Sequence, residues 1–278
     1  MDSKMIKNDM QKVVLITGVS SGFGKAIAEQ LLAQGHIVYG TSRRNPDFDL
    51  NGLRIKHLDV TQKDVVNEVV GSIVEEQGHL DVLINNAGIG IAGAAELATE
   101  QEIDLQMNTN FMGVVNMCSA VLPHFRAKRR GTVLNVSSIG GVFTIPYQGF
   151  YSVSKFAVEA YSEALALETR QFGINIVIVE PGDFNTGFTN NRKVSEVTLR
   201  DEDYKASFDR VLRNIEKDER GGGDPKYLAR KIAKIINKKS PKFRYLITPN
   251  IVQRLSVTAH GILPNRMFQW ILRLFYGV

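Results

Sequence analysis

The sequence predicts an α/β fold: one parallel sheet of about seven strands, doubly wound, with helices on both faces. Short β-branched and aliphatic runs alternate with longer segments of helical periodicity, as in βαβ units. The 278 residues contain no internal repeat and no low-complexity linker. We therefore expect a single domain over residues 1–278, a length that can bury a sizeable core.

The first half of the chain supplies the first strands. They are predicted at 12–17, 36–41, 53–58 and 82–84. Helices are predicted at 24–34 and 62–77. The first strand is a short β-branched run, which is typical of strands that are buried on both faces of a parallel sheet.

The second half continues the alternation and then changes character. Helices are predicted over 99–128 and 150–172, and strands at 132–136, 175–179 and 243–247. Residues 183–224 are polar and charge-dense and end in three consecutive glycines, so we interpret them as a substrate-loop excursion, mobile or partly helical. An apolar helix is predicted over 262–278.

The composition of the chain excludes several classes of protein and several kinds of site. The chain is 44% apolar and 23% charged, which excludes intrinsic disorder. Cys118 is the only cysteine, so neither an internal disulfide nor a cysteine-based metal site is expected. The five histidines lack ligand spacing, and no metal site is predicted. Without a run of ~18 apolar residues, no spanning helix is expected, and a cytoplasmic location is predicted.

The positive charge is concentrated at the C-terminal end. Residues 221–278 carry eleven basic side chains and one acidic one, Asp224, within a chain of net charge +5. Either this is an ordinary solvated surface, or it attracts an anionic surface such as a membrane. Nucleic acid is not expected as a partner, because no aromatic residues interleave with the basic ones.

A glycine-rich turn joins the first strand to the first helix, with the sequence TGVSSGFG at 17–24. Glycines let the backbone approach a pyrophosphate, and the helix N-terminus attracts an anion. The spacing departs from GxGxxG, so a purely structural turn is the alternative, but the position after the first strand favours a dinucleotide site. The expected contacts are Gly18, Ser20, Ser21, Gly22, Phe23 and Gly24.

The ends of the next strands indicate which dinucleotide is bound. Ser42, Arg43 and Arg44 follow the second strand, where an NAD-binding fold normally offers an acid to the ribose. Arginines suit a 2′-phosphate, so NADPH is the predicted cofactor, although solvated loop arginines remain the alternative. Further contacts are expected from residues that follow the third and fourth strands: Asp59, Val60, Asn86, Ala87 and Gly88.

A tyrosine and a lysine form the candidate reacting end. Tyr151 and Lys155 lie four residues apart on one helix face. A neighbouring ammonium should lower the pKa of the phenol towards the range useful for acid–base catalysis. Ser138, just after a strand, could orient a carbonyl, and Asn110 lies in the preceding helix.

Taken together, these residues resemble the short-chain dehydrogenase/reductase family, which has a Rossmann-type fold. The motifs that carry the resemblance are TGVSSGFG at 17–24, NNAG at 85–88, Asn110, Ser138 within NVSSIGG, YSVSK at 151–155 and PGDFNT at 181–186. They stand in the family order at family spacings over about 170 residues, counted from these motif positions.

The resemblance implies hydride transfer between a nicotinamide and a carbonyl or secondary alcohol. Tyr151 would be the acid–base, and Lys155 would lower its pKa and bind the nicotinamide ribose. Ser138 would polarise the carbonyl, and Asn110 would hold a water in a proton relay with Lys155. Residues that would face the nicotinamide are Pro181, Gly182 and Thr186.

Apolar residues flank the candidate site and predict an apolar small-molecule substrate. They are Phe143, Ile145, Tyr147, Phe150, Phe184 and Phe188. The substrate would be a ketone of steroid, retinoid or acyl-chain type, with closest resemblance to the 17β-hydroxysteroid dehydrogenase-like and retinol dehydrogenase-like branch. An epimerase or dehydratase and a non-catalytic nucleotide-sensing module are the alternatives on the same fold.

The predicted C-terminal helix, 262–278, has an apolar face that is expected to be covered by protein or by lipid. On a helix Phe268, Ile271, Leu272 and Tyr276 share one side. Three fates are open: a lid over the substrate cleft, a dimer interface, or a peripheral contact with a membrane. A homo-oligomer is expected.

Overall fold

The computed structural model describes residues 11–44 and 50–278, and it confirms the predicted fold class. The main sheet has seven strands, all parallel. They are β1 (Val13–Thr17), β2 (Ile37–Ser42), β3 (Leu53–His57), β4 (Val82–Asn85), β6 (Gly131–Val136), β7 (Ile174–Pro181) and β9 (Arg244–Ile247). A second, two-stranded parallel sheet pairs β5 (Ile91–Ala92) with β8 (Lys193–Val194).

Eleven α-helices lie within the described ranges. The first five are α1 (Gly22–Ala33), α2 (Lys63–Gln77), α3 (Glu100–Met107), α4 (Gly113–Lys128) and α5 (Gly149–Thr169). The others are α6 (Phe188–Asn191), α7 (Glu196–Arg200), α8 (Lys205–Arg220), α9 (Pro225–Ile236), α10 (Ile251–Ile262) and α11 (Asn265–Tyr276). A π-helical turn, Asn108–Met112, joins α3 to α4.

The sheet is buried on both sides because its strands alternate between two cores. In β1, Val14 and Ile16 face a core that contains Ile27 of α1 and Ile232 of α9. Val13 and Leu15 face the opposite core, with side chains from α2, α4 and α5. This double burial explains why the central strands are continuous apolar runs in the sequence, whereas the edge strands β3 and β9 are partly exposed and contain charged residues.

Strand order places the candidate site. The order is β3-β2-β1-β4-β6-β7-β9, so the chain leaves β1 towards one edge and returns to β4 on its other side. The crevice at the carboxyl ends of β1 and β4 is where open α/β sheets bind ligands. The glycine-rich turn lies at the end of β1.

Several predicted boundaries change in the structure. The helix expected over 150–172 ends as an α-helix at Thr169 and continues as a 3₁₀ turn over Arg170–Phe172. The 183–224 excursion contains α6, β8, α7 and α8, and its two ends are joined by a bridge between Phe184 and Gly223. Helices α9 and α10 and the small sheet were not predicted from the sequence. A signal for α9 was present, since Asp224 and Pro225 open it and Leu228, Ile232 and Ile236 share one face.

Candidate active site

The glycine-rich turn is shaped for close approach of a ligand. Gly18 has φ +72°, and a Cβ at Gly24 would lie 2.1 Å from the Gly18 carbonyl oxygen. The Asn86 side-chain amide holds the turn by donating to the Thr17 and Gly18 carbonyls, both at 2.9 Å. Ser21 precedes α1, and within the described residues its side chain caps none of the first N–H groups. Those donors fit a pyrophosphate.

The adenosine end has one arginine in place. Arg43 lines the cleft. The Ser42 hydroxyl accepts from the Arg44 N–H at 3.2 Å and so fixes the turn that aims this segment. Asp59 likewise supports its own turn, because Oδ1 accepts from the Thr61 N–H at 2.9 Å.

Most of the predicted site residues line one cleft. Those on its wall are Gly18, Ser20, Ser21, Gly22, Phe23, Ser42, Arg43, Asp59, Val60, Asn86, Ala87, Gly88, Ser138, Tyr151, Lys155, Pro181, Gly182 and Thr186. Three of the predicted residues, all of them within the described ranges, do not line it: Gly24, Arg44 and Asn110. The structure therefore brings the nucleotide end and the reacting end of the sequence prediction together.

Tyr151 and Ser138 form the centre of the reacting end. Their side chains are hydrogen-bonded to each other. The Ser138 hydroxyl also accepts from the Gly140 N–H at 3.0 Å, which fixes its position at the end of β6. A Cβ on Gly140 would lie 3.3 Å from the Tyr151 ring, so glycine leaves room for the phenol.

The expected lowering of the Tyr151 pKa is not what the structure shows. Burial raises the pKa of Tyr151 to about 12, and the hydrogen bond from Ser138 opposes this only in part. Lys155 Nζ lies 5.8 Å from the Tyr151 ring centre and donates to the Val136 carbonyl at 2.9 Å. Burial also lowers the pKa of Lys155 to about 8. Desolvation therefore dominates both groups, and it keeps the phenol protonated at neutral pH.

Asn110 lies in the π-helical turn and positions the chain beyond β4. Its Oδ1 accepts from the Ile89 N–H at 2.8 Å, and its Nδ2 donates to the Ile89 carbonyl at 3.0 Å. A Cβ on Gly88 would lie 3.3 Å from Asn110 Oδ1 and 3.9 Å from Lys155 Nζ, so these two side chains flank the same glycine. The proton relay through a water stays a prediction.

The wall of the cleft also contains charged side chains that the sequence analysis did not predict. Glu219 of α8 lines the cleft and forms an ion pair with the buried Arg192. It also accepts from the Thr189 hydroxyl at 2.7 Å. Asp183 lines the cleft too, and burial raises its pKa to about 7, helped by the negative charge of Glu219. The only sequence signal for this group was that Asp183 lies within the PGDFNT segment.

An amide side chain also faces the cleft. Gln148 is 3% exposed, lines the cleft and stands three residues before Tyr151. Its Nε2 has no hydrogen-bond partner among the described residues. A buried donor of this kind favours a ligand acceptor.

The C-terminal helices close over the reacting end. Phe268 of α11 packs with Ile139 and Phe143, and Tyr276 packs with Val211 and Ile215 of α8. The inner face of the tail therefore lies on its own chain. Among the described residues, no helix has both the length and the apolar character needed to cross a membrane.

Gln253 ties α10 to the turn after β7. It donates to the Asp183 carboxylate and accepts from the Asp183 N–H at 3.1 Å. A Cβ on Gly182 would lie 2.1 Å from Gln253 Oε1, so only glycine leaves room for this contact.

Comparison with known proteins agrees with this geometry. The short chain dehydrogenase family matches residues 12–196. The chain is 57% identical to a 3-ketodihydrosphingosine reductase of Bacteroides thetaiotaomicron, over 96% of this chain and 98% of that protein. It is 31% identical to an NADPH-dependent 3-dehydrocapnine reductase of Ornithobacterium rhinotracheale, over 95% and 96% of the two chains.

A solved structure shows the same fold over nearly the whole chain. It is a short-chain dehydrogenase from Streptomyces avermitilis, with TM-score 0.82 and 31% identity, covering 96% of this chain and 99% of that one. The reported relatives do not support the expected 17β-hydroxysteroid or retinol branch. The fold, the assembled cleft and these matches show that the chain belongs to the short-chain dehydrogenase/reductase family and is an NAD(P)-dependent oxidoreductase.

Proposed function

We propose that this protein reduces the ketone of a long-chain amino-ketone amphiphile, in the manner of a 3-ketodihydrosphingosine reductase. Such a substrate carries an alkyl chain, a ketone and an ammonium on the adjacent carbon. The observation that carries the proposal is that Asp183, whose carboxylate is hydrogen-bonded to Gln253 and to no cationic partner among the described residues, lines the same cleft as Tyr151. A carboxylate there attracts a cation beside the reacting carbonyl, whereas the charge of Glu219 is already paired with Arg192. Of the substrate types expected from the sequence, only the acyl-chain type accommodates such a group.

NADPH is the cofactor we propose, and it supplies the hydride when bound. Arg43 lines the adenosine end of the cleft, where a guanidinium can pair with a 2′-phosphate. The uncapped N–H groups at the start of α1 fit the pyrophosphate, and Gly24 lets the turn pack closely enough against α1 to present them. Arg43 and Arg44 are both exposed, but only Arg43 lines the cleft, so Arg43 carries the proposal for phosphate recognition.

We propose Tyr151 as the acid that protonates the reduced oxygen. The phenol holds its proton at neutral pH, which is the state that an acid in ketone reduction needs. The Ser138 hydroxyl accepts from Gly140 and donates to Tyr151, and we propose that it turns its proton to the ketone oxygen when the substrate binds. We propose that Lys155 binds the nicotinamide ribose, from a position anchored on Val136.

A direct assay tests this function. The purified protein is mixed with NADPH and a short-chain 2-amino-3-ketone, and the loss of NADPH absorbance is followed. Tyr151→Phe should lower kcat by about 10²–10⁴-fold, because only the transferable proton is removed. The Kd for NADPH, measured by fluorescence, should stay within about twofold of the native value.

A matched substrate tests the role of Asp183. A ketone of equal length without the amine should show a lower kcat/KM, because it lacks the cation that the Asp183 carboxylate attracts. If the native protein reduces other ketones but not amino-ketones, the proposed substrate is wrong. If Tyr151→Phe keeps more than a tenth of the native kcat, Tyr151 is not the acid.

The outer faces of α10 and α11 support a peripheral contact with an anionic membrane, where such a substrate would reside. Large apolar side chains are exposed there: Ile251, Val252, Leu255, Ile262, Met267, Trp270, Ile271, Leu274 and Phe275. Three exposed arginines lie on the same helices: Arg254, Arg266 and Arg273. Apolar area and basic charge add on anionic lipid.

Sedimentation with phosphatidylserine vesicles at low salt tests the membrane contact. The native protein should sediment, and Trp270→Ser/Leu274→Ser should not. Leu167→Ser, which removes an exposed apolar residue from α5, is the matched control. If the native protein stays in the supernatant, or if this face instead joins two copies of the chain, the membrane contact is wrong.

A further inference from the structure

We infer that a second cavity, enclosed by α8, α10 and α11, binds the alkyl chain of the substrate. This inference rests on the proposed function, because it assigns the part of the substrate that lies beyond the ketone. The cavity has a volume of about 650 Å³. Small-molecule sites in proteins typically measure about 300–1,000 Å³.

The walls of the cavity suit a hydrocarbon. The apolar side chains of the wall include Phe143, Leu255, Phe268, Ile271, Leu272 and Phe275. Phe143 and Phe268 pack edge to face, with ring centres 5.5 Å apart, so this end of the wall is a fixed aromatic surface. The charged side chains, Asp183, Lys217 and Asp218, come from the turn after β7 and the end of α8.

The cavity meets the catalytic cleft at two residues. Ile139 and Asp183 line both spaces, and Ile139 directly follows Ser138. A ketone held at Ser138 and Tyr151 therefore lies beside the entrance to the cavity. An alkyl chain that starts at this ketone passes Ile139 into the apolar space, while the charged head remains beside Asp183.

The direction of the chain follows from the same geometry. Asp183 lies where the cavity meets the catalytic cleft, so the charged head of the substrate belongs at this junction and its apolar end belongs at the opposite side. At the far end Leu255, Ile271 and Phe275 line the cavity and are also partly exposed on the outer surface. The terminal part of a long chain thus lies between α10 and α11, close to the surface.

Chain length supplies the first test. Substrates with the same amino-ketone head and alkyl chains that lengthen in steps of two methylenes are compared at monomeric concentrations. Each methylene that moves from water into an apolar cavity should raise kcat/KM by about fourfold, the equivalent of about 0.8 kcal/mol, until the cavity is full. The gain should appear mainly in KM, because the chain does not touch the reacting atoms.

Two substitutions on α10 provide a matched pair. Ser256 lines the cavity, and Thr258 does not; each donates its hydroxyl to the carbonyl four residues earlier. Ser256→Trp should fill the cavity and lower kcat/KM for the longest substrate at least tenfold, while the shortest substrate stays within about twofold. Thr258→Trp should change neither. NADPH binding should be unaffected in both variants.

A binding measurement separates this inference from the proposed reaction. A long-chain alkylamine with a terminal pyrene should bind the native protein and the Thr258→Trp variant, and it should bind Ser256→Trp at least tenfold more weakly. If Ser256→Trp loses probe binding but the native protein does not turn over amino-ketones, the cavity assignment is supported and the proposed substrate is wrong. Turnover without chain-length dependence, with equal probe binding in all three proteins, overturns the cavity assignment.

Discussion

Replacing Glu219 with Gln should strongly destabilise the protein, because it leaves a buried arginine without its counter-charge. The Arg192 side chain is 1% exposed and that of Glu219 12%. Only Nη2 of Arg192 bonds to Glu219, and its Nε and Nη1 have no hydrogen-bond partner in the described chain. Removing one member of such a buried pair typically costs about 3–5 kcal/mol. For a domain of this size the expected fall in Tm is on the order of 10 °C.

The assay is thermal and denaturant unfolding of a small set of variants. The matched control is Glu216→Gln on the same helix, where the pair with Arg220 at 3.6 Å is largely exposed and should contribute less than about 1 kcal/mol. A double variant, Arg192→Met/Glu219→Leu, replaces both charges with apolar side chains. It should recover most of the stability lost in Glu219→Gln, since the unpaired charge is gone.

Activity should follow the same pattern near the reacting end. Arg192 lies 5.7 Å from the Phe188 ring centre, and that ring lies 5.6 Å from the ring of Tyr151. A freed arginine would disturb this contact and lower kcat. The ion pair does not stabilise the wall of the cleft if the unfolding free energy of Glu219→Gln lies within about 1 kcal/mol of the native value. The same conclusion follows if the double variant is no more stable than Glu219→Gln.

Three further outcomes are expected. Gly24→Ala should weaken NADPH binding at least tenfold in a fluorescence titration, because the new Cβ collides with the glycine-rich turn. Gly71→Ala is the control and should not weaken binding, because the space around Gly71 is open. Equal Kd values for the two variants would contradict this prediction. Arg43→Ser should reduce the preference for NADPH over NADH at least tenfold, because a charge-assisted contact with the 2′-phosphate contributes about 1.5–3 kcal/mol. Arg44→Ser should change the preference less. If the ratio of kcat/KM for NADPH and NADH is unchanged in Arg43→Ser, Arg43 does not recognise the 2′-phosphate. The pKa of Asp183 is raised to about 7, so its protonated form contributes stability fully below pH ~4, and this contribution is lost as the pH rises through about 7. Asp183→Asn should therefore show a smaller fall in unfolding free energy between pH 5 and 8 than the native protein. A parallel pH dependence of the two proteins would refute this.

The sequence predicted the parts of the site that are local in the chain. The glycine-rich turn, Asn86 and the Tyr151–Lys155 pair each follow a recognisable strand or share one helix face, so their position in a parallel sheet could be inferred from periodicity. The same reasoning predicted the seven strands, because doubly buried strands have continuous apolar runs.

Features that depend on contacts between distant segments were not predictable. Arg192 and Glu219 lie 27 residues apart, on opposite sides of α7 and most of α8, and no periodicity relates them. The pKa of Tyr151 was misjudged for a similar reason: spacing shows that Lys155 is near, but burial, which outweighs it, is a property of the folded chain. The cavity beneath α11 likewise required the position of α10.

The contact of Gln253 with the turn after β7 has a consequence for the order of events in turnover. Gly182 and Asp183, which Gln253 holds, belong to the cofactor cleft, and Gln253 itself lines the second cavity. A ligand in either space therefore acts on the same turn, and we expect the two affinities to be linked. Linkage is reciprocal, so any factor by which NADPH tightens the binding of a lipid ketone must equal the factor by which that ketone tightens the binding of NADPH.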